Sequence, residues 1–134
     1  MSPATGFVHE VRVYYEDTDF SGAVYHANYL RFMERAREHL LGPDELKRLW
    51  DEEGVGFVVY KAELEFRQPA RFGDVLEVRT TPRAESDWRA SFVQEVWRAG
   101  EKAPIVVGRV ELVCVDSKNK LVRLPASVRA AFPT

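Results

Sequence analysis

The stretch YYEDTDFSGAVYHANYLRF, residues 14–32, sets Asp17, Asp19, Ser21, Gly22 and His26 among aromatic side chains. Carboxylates and an imidazole that close together are the groups of acid/base, nucleophilic or metal chemistry. A calcium loop is the first reading to weigh. With Asp17 at loop position one, Asp19, Ser21 and Gly22 fall where ligands and the sharp turn belong. Position twelve is then Asn28, which cannot supply a bidentate carboxylate, and the residues before Asp17 alternate like a strand rather than an entering helix. A second reading, an Asp-x-Asp phosphotransferase, needs a parallel α/β core that the downstream pattern does not provide.

The third reading is acyl transfer. A helix starting at Asn28 presents unpaired backbone N–H groups and the positive end of its dipole, which polarise a carbonyl and stabilise an oxyanion. Gly22 permits a close turn, Asp19 brings a carboxylate just upstream, and His26 stands near the first helical turn. A carboxylate that attacks or activates water, beside oxyanion donors, suffices for that chemistry. Each residue also has a structural alternative. Tyr15 can be an aromatic at a strand end, His26 a helix-start histidine bonded to backbone, and Asp19 a loop cap. Glu34 and Arg35 can be surface charges pairing with Arg31 and Glu38 at helical spacing.

The elements that must carry these residues follow from periodicity. FVHEVRVYY, residues 7–15, alternates with Phe7, Val11, Val13 and Tyr15 on one face, as in a half-buried strand. NYLRFMERAREHLL, residues 28–41, puts Tyr29, Met33, Ala36 and Leu40 on one helical face, with Asn28 as N-cap and Gly42-Pro43 as the stop. DELKRLWDEEG reads as a short second helix or turn ending at Gly54. YKAELEFR then sends Tyr60, Ala62, Leu64 and Phe66 one way and Lys61, Glu63, Glu65 and Arg67 the other. QPARFGD is a turn, and residues 75–81, 88–98 and 104–116 are further strands. LVRL reads as a terminal strand and PASVRAAF as a short helix. The strand connections are too short for parallel crossovers, so the fold class is α+β, an antiparallel sheet curled around one long buried helix. Strands apolar on both faces favour pairing with a second copy.

Bulk properties narrow the partners. The 134 residues make one domain, 1–134, and 19 basic against 21 acidic side chains leave a net charge of −2, with no field to draw in nucleic acid or an anionic membrane. Any anionic ligand must be held by local arginines. Cys114 is the one cysteine, which excludes an internal disulfide and suits a reducing compartment, so the expected location is the cytoplasm. No signal-peptide pattern and no apolar run long enough to span a bilayer occurs. His9 and His39 have no ligand-like spacing with His26 or Cys114, and no metal is expected.

VRVYYEDTDFSGAVYHANYLRFMERARE closely resembles the motif of the 4-hydroxybenzoyl-CoA thioesterase family of the hotdog fold, in particular its branch of Tol-Pal-associated acyl-CoA thioesterases. FVVYKAELEFRQPARFGDVLEV, ELVCVD and LPASVRAAF are similar to that branch too, so the likeness spans nearly the whole chain. It implies an acyl-CoA thioester hydrolase without metal or redox cofactor, with Asp19 as catalytic carboxylate and Tyr15 and His26 as further active-site candidates. The backbone N–H of His26 would point at the thioester oxygen, and Asp17 would brace the loop. Asp19 as nucleophile and Asp19 as general base both remain open. The resemblance also implies a homo-oligomer, a dimer at least and by likeness a homotetramer, with the site between subunits. The phosphates of CoA would lie at the surface near Arg67, Arg71, Arg83 and Arg89. Acyl carrier protein in place of CoA as donor stays open, as does the acyl chain itself. The rivals are a hotdog hydratase or dehydratase, and a non-catalytic acyl-CoA or acyl-carrier-protein binding subunit linked to the Tol-Pal system or to phospholipid synthesis.

Overall fold

The computed structural model describes residues 6–132. Strand β1 (Phe7–Arg12) leads through a 3-10 turn at Tyr15–Asp17 into helix α1 (Asn28–Leu41), the longest helix. Helix α2 (Pro43–Arg48) continues as a π-type turn, Leu49–Glu53. Strands β2 (Val55–Phe66), β3 (Val75–Ala84), β4 (Arg89–Arg98) and β5 (Val106–Asp116) follow, then helix α3 (Ala126–Ala130). All pairings are antiparallel, and the five strands lie in the order β1-β3-β4-β5-β2. A single antiparallel sheet laid on one long helix is the expected hotdog arrangement.

Helix α1 forms because its fourteen residues hold no Gly or Pro and concentrate apolar side chains on one stripe. Gly42, at φ +95°, ends it, where a side chain would be strained. Tyr29, Phe32, Met33 and Ala36 are buried against Leu76 and Val78 of β3, Val96 of β4 and Val106 of β5. Each large side chain so buried contributes on the order of 2 kcal/mol. A second cluster, Leu49, Phe92, Val110, Leu112, Cys114, Leu124 and Val128, closes the other end of the sheet under α3. Burial raises the Cys114 thiol to about 11, which leaves it a core residue rather than a nucleophile.

One polar group is buried with this core. Arg37, on the sheet side of α1 and 6% exposed, donates from Nη1 to Gln94 Oε1 at 3.0 Å. Gln94 in turn donates from Nε2 to the Met33 carbonyl and to Thr80 Oγ1, both at 2.9 Å. The helix is thereby bolted to β3 and β4 by a fully used amide. Arg31, Glu34, Arg35 and Glu38 line the exposed face, and among the described residues they form no ion pair with one another, contrary to the spacing expectation.

Four local readings are corrected. The first strand stops at Arg12, and the 3-10 turn carries Tyr15 out to 79% exposure instead of continuing the apolar face. Ala27, not Asn28, holds the N-cap position. The register of β2 slips between Val59 and Lys61. This bulge turns Tyr60 to the outer face, where its hydroxyl donates to Glu111 Oε1 at 2.7 Å, while Ala62, Leu64 and Phe66 keep the expected side. LVRL makes only an isolated bridge, Val115 with Leu121, rather than a strand. No helix among the described residues is long and apolar enough to cross a membrane.

Candidate active site

The loop from Val13 to Ala27 is built from short local bonds. The Asp17 carboxylate accepts the N–H of Tyr14 at 2.8 Å and closes the 3-10 turn, which is the bracing role expected of it. The Asp17 carbonyl accepts the Tyr25 N–H at 3.0 Å and the Asn28 side-chain amide at 2.8 Å. Asn28 therefore acts as a strut that holds the loop to the start of α1, in place of a cap. Between these anchors Thr18 bridges Val24, and Asp19 N–H donates to the Ala23 carbonyl at 2.8 Å. Gly22, at φ +87°, makes the reversal that only a residue without a side chain adopts freely.

Asp19 stands at the tip of this hairpin-like loop with its carboxylate exposed. Ser21 donates both its backbone N–H, at 2.8 Å, and its hydroxyl, at 2.6 Å, to Asp19 Oδ1. These two bonds, with the nearby Arg71 guanidinium, hold the carboxyl below the usual carboxylate range. Asp19 is thus an anion whose second oxygen is free to react. Ser21 was not singled out in the sequence for this role, although an aspartate followed two residues later by serine is a local turn signal that could have found it.

His26 lies at the entrance to α1, its ring 4.5 Å from that of Tyr25 and 6.3 Å from that of Phe66. Among the described residues, the N–H groups of His26 and Ala27 have no intramolecular acceptor, whereas Asn28 N–H is bonded to the Tyr25 carbonyl. A groove of about 250 Å³ beside them is lined by Val24, His26, Tyr29, Phe66, Arg67, Gln68 and Pro69. Tyr15 packs edge-on against Phe72 at 5.9 Å, and Phe20, next to Asp19 in the chain, is wholly exposed.

The four arginines do not converge in the chain. Arg67 lines the His26 groove and Arg71 stands by Asp19. Arg83 lies toward the far end of β3, within 3.8 Å of Glu85, about 27 Å along the strand from Val75. Arg89 borders a shallow outer-face groove with Ser86, Trp88, Val113 and Leu121. Among the described residues, no cluster of three or more His, Cys, Asp or Glu side chains is disposed to hold a metal ion.

Residues 13–132 match the Thioesterase-like superfamily. The chain is 41% identical over 124 residues to the acyl-CoA thioester hydrolase YbgC of Escherichia coli O6:H1, covering 91% of this chain and 92% of that protein. It is 38% identical over 130 residues to the acyl-CoA thioesterase YbgC of Haemophilus influenzae, covering 95% and 94%. Among solved structures, it superposes with a TM-score of 0.87 on Slr0204, a 1,4-dihydroxy-2-naphthoyl-CoA thioesterase from Synechocystis, at 26% identity and 94% coverage of both chains.

Proposed function

The chain belongs to the thioesterase-like superfamily, and from that premise we propose that it hydrolyses an acyl-CoA thioester to a carboxylic acid and CoA, with Asp19 as the reacting carboxylate. The observation that carries this reading is the Asp17 carbonyl, which ties the Asp19 loop to the start of α1 through Tyr25 and Asn28. It ties the loop that carries the Asp19 carboxylate to the segment that carries the open N–H groups of His26 and Ala27. The thioester oxygen would accept from these N–H groups while negative charge develops on it. Asp19 then follows one of two routes. As nucleophile it forms an acyl-aspartyl anhydride, expels CoA as the thiolate, and is regenerated by water. As general base it takes a proton from the water that attacks. The lowered pKa keeps Asp19 ionised at neutral pH, the form that both routes require. His26 and Tyr15 flank the thioester in this reading.

We place the working site between two copies of the chain. Strand β2 is a twelve-residue edge strand with Val58, Val59 and Tyr60 exposed, an open template for a second strand. Arg67 and Arg71 then meet the CoA phosphates in one copy, and Arg83 and Arg89 meet them from the other. A tetramer is the assembly that extends this pairing. A lone, buried Cys114 suits a cytoplasmic setting.

The test is release of free thiol from short-chain, long-chain and aromatic acyl-CoA thioesters and from acyl carrier protein thioesters, by wild type and Asp19→Asn, with the mass in solution measured alongside. Hydrolysis that collapses in the variant upholds the reading. Binding of acyl-CoA without cleavage of any thioester overturns it in favour of a binding subunit.

A further inference from the structure

We infer that Arg98 and Asp74 are positioning residues of the candidate site: together they shape the turn at 69–74, on which the Asp19 loop and the start of α1 are both seated. The inference rests on the reading of Asp19 as the reacting carboxylate.

The Asp19 loop leaves and returns through the same turn. At its outgoing foot, Val13 N–H donates to the Asp74 carbonyl at 2.9 Å and Gly73 N–H donates to the Val13 carbonyl at 3.1 Å. At its returning foot, Phe72 N–H donates to the Gly22 carbonyl at 3.3 Å, Ala23 bridges Arg71, and Val24 N–H donates to the Ala70 carbonyl at 2.8 Å. Helix α1 reaches the turn as well, since Ala70 N–H donates to the Tyr29 hydroxyl at 2.9 Å. The carboxylate, the oxyanion donors and the Arg71 guanidinium beside Asp19 therefore share one support.

That support has no regular secondary structure; beside the bond from Asp74 N–H to the Arg71 carbonyl at 3.0 Å, two side chains brace it. The Asp74 carboxylate accepts the Arg71 N–H at 2.8 Å, closing the turn from inside. Arg98, the last residue of β4, donates from Nε to the same carboxylate at 3.1 Å and from Nη2 to the Pro69 carbonyl. A single guanidinium thus spans both ends of the turn and fixes it to the sheet, half-buried and further paired with Glu101 at 3.1 Å. The planar fork of arginine makes this double contact; a lysine reaches one partner at a time. A shift of about 1 Å in a reacting group far from the substituted residue costs on the order of 100-fold in rate.

The experiment compares wild type, Arg98→Met, Arg98→Lys, Asp74→Asn and Asp19→Asn by thioester hydrolysis and by amide hydrogen exchange. The expected result for Arg98→Met is a kcat at least tenfold lower with KM within about twofold, with exchange accelerated in residues 13–24 and unchanged in β4 and β5. Arg98→Lys falls between Arg98→Met and wild type. Unchanged exchange in residues 13–24, or acceleration spread evenly over the sheet, overturns the positioning role. If the wild type cleaves no thioester, the catalytic reading fails by itself, and the exchange result still decides whether Arg98 orders the loop.

Discussion

Asp19 and Ser21 form a closed pair in which the N–H and the hydroxyl of one residue both donate to a single carboxylate oxygen of the other, at 2.8 and 2.6 Å. Such an arrangement stabilises the anion and leaves Oδ2 uncommitted. In the thioesterase reading the ionised form is the active one, so activity is lost as pH falls through the Asp19 pKa. Ser21→Ala removes the larger of the two bonds and raises that pKa toward the ordinary value. The acid limb of the kcat/KM profile is expected to move to higher pH, with neutral-pH activity retained within a few-fold. Asp19→Asn is expected to lose about 100-fold or more on the neutral plateau above the acid limb, and the gap to wild type should narrow as Asp19 protonates. An acid limb that stays in place in Ser21→Ala would disconnect Asp19 from the titration.

Gln94→Leu leaves the buried Arg37 without the one hydrogen-bond partner it has among the described residues and releases the bolt between α1 and the sheet. An uncompensated buried charge of this kind costs about 3 kcal/mol. Urea unfolding should report that loss, and the double variant Arg37→Met/Gln94→Leu should recover most of it, because the charge goes with its partner. Equal stability of the single and double variants would speak against the buried charge as the cause.

His9 of β1 stacks on His39 in the last turn of α1, with ring centroids 4.6 Å apart. Burial, His39 and Arg35 lower the His9 pKa below its ordinary 6.5. The unfolded chain therefore takes up the proton first, and stability is lost as pH falls below 6.5 toward the folded-state pKa. Melting temperatures measured from pH 7.5 down to pH 5 should fall for the wild type. His9→Phe, which keeps the stacked ring and cannot titrate, should flatten that part of the curve.

Gly108 in β5 faces α1 at a point of close approach. A Cβ there would lie 3.1 Å from the Glu63 carbonyl, 3.2 Å from Leu64 Cγ and 3.3 Å from Met33 Cε. Gly108→Ala must push β2 or the helix outward, at a cost of about 1–2 kcal/mol. A thermal melt without that loss would mean that the Glu63 carbonyl, the Leu64 side chain and the Met33 methyl all give way by a few tenths of an ångström at no net cost.

The local elements and the reactive segment were legible in the chain because they are encoded by neighbours. Period-2 alternation marked β1 and most of β2, turn segments delimited β3–β5, helical spacing marked α1, and the types and spacing from Tyr15 to Asn28 marked the Asp19 loop as the place for chemistry. The outward turn of Tyr60 was not legible, since one inserted residue at a bulge reverses the parity of a strand and nothing in the alternation announces it. Nor was the partnership of Asn28 with the Asp17 carbonyl, where a side chain suited to capping finds a better acceptor across the loop. The contacts between Arg37 and Gln94, and between Arg98 and the turn at 69–74, join segments far apart in sequence. Their bonds exist only once the strand order β1-β3-β4-β5-β2 has been set by pairing. Local pattern determined which residues face a core and which could react. Tertiary structure alone decided what holds those reacting groups still, because that support comes from residues that only the sheet brings together.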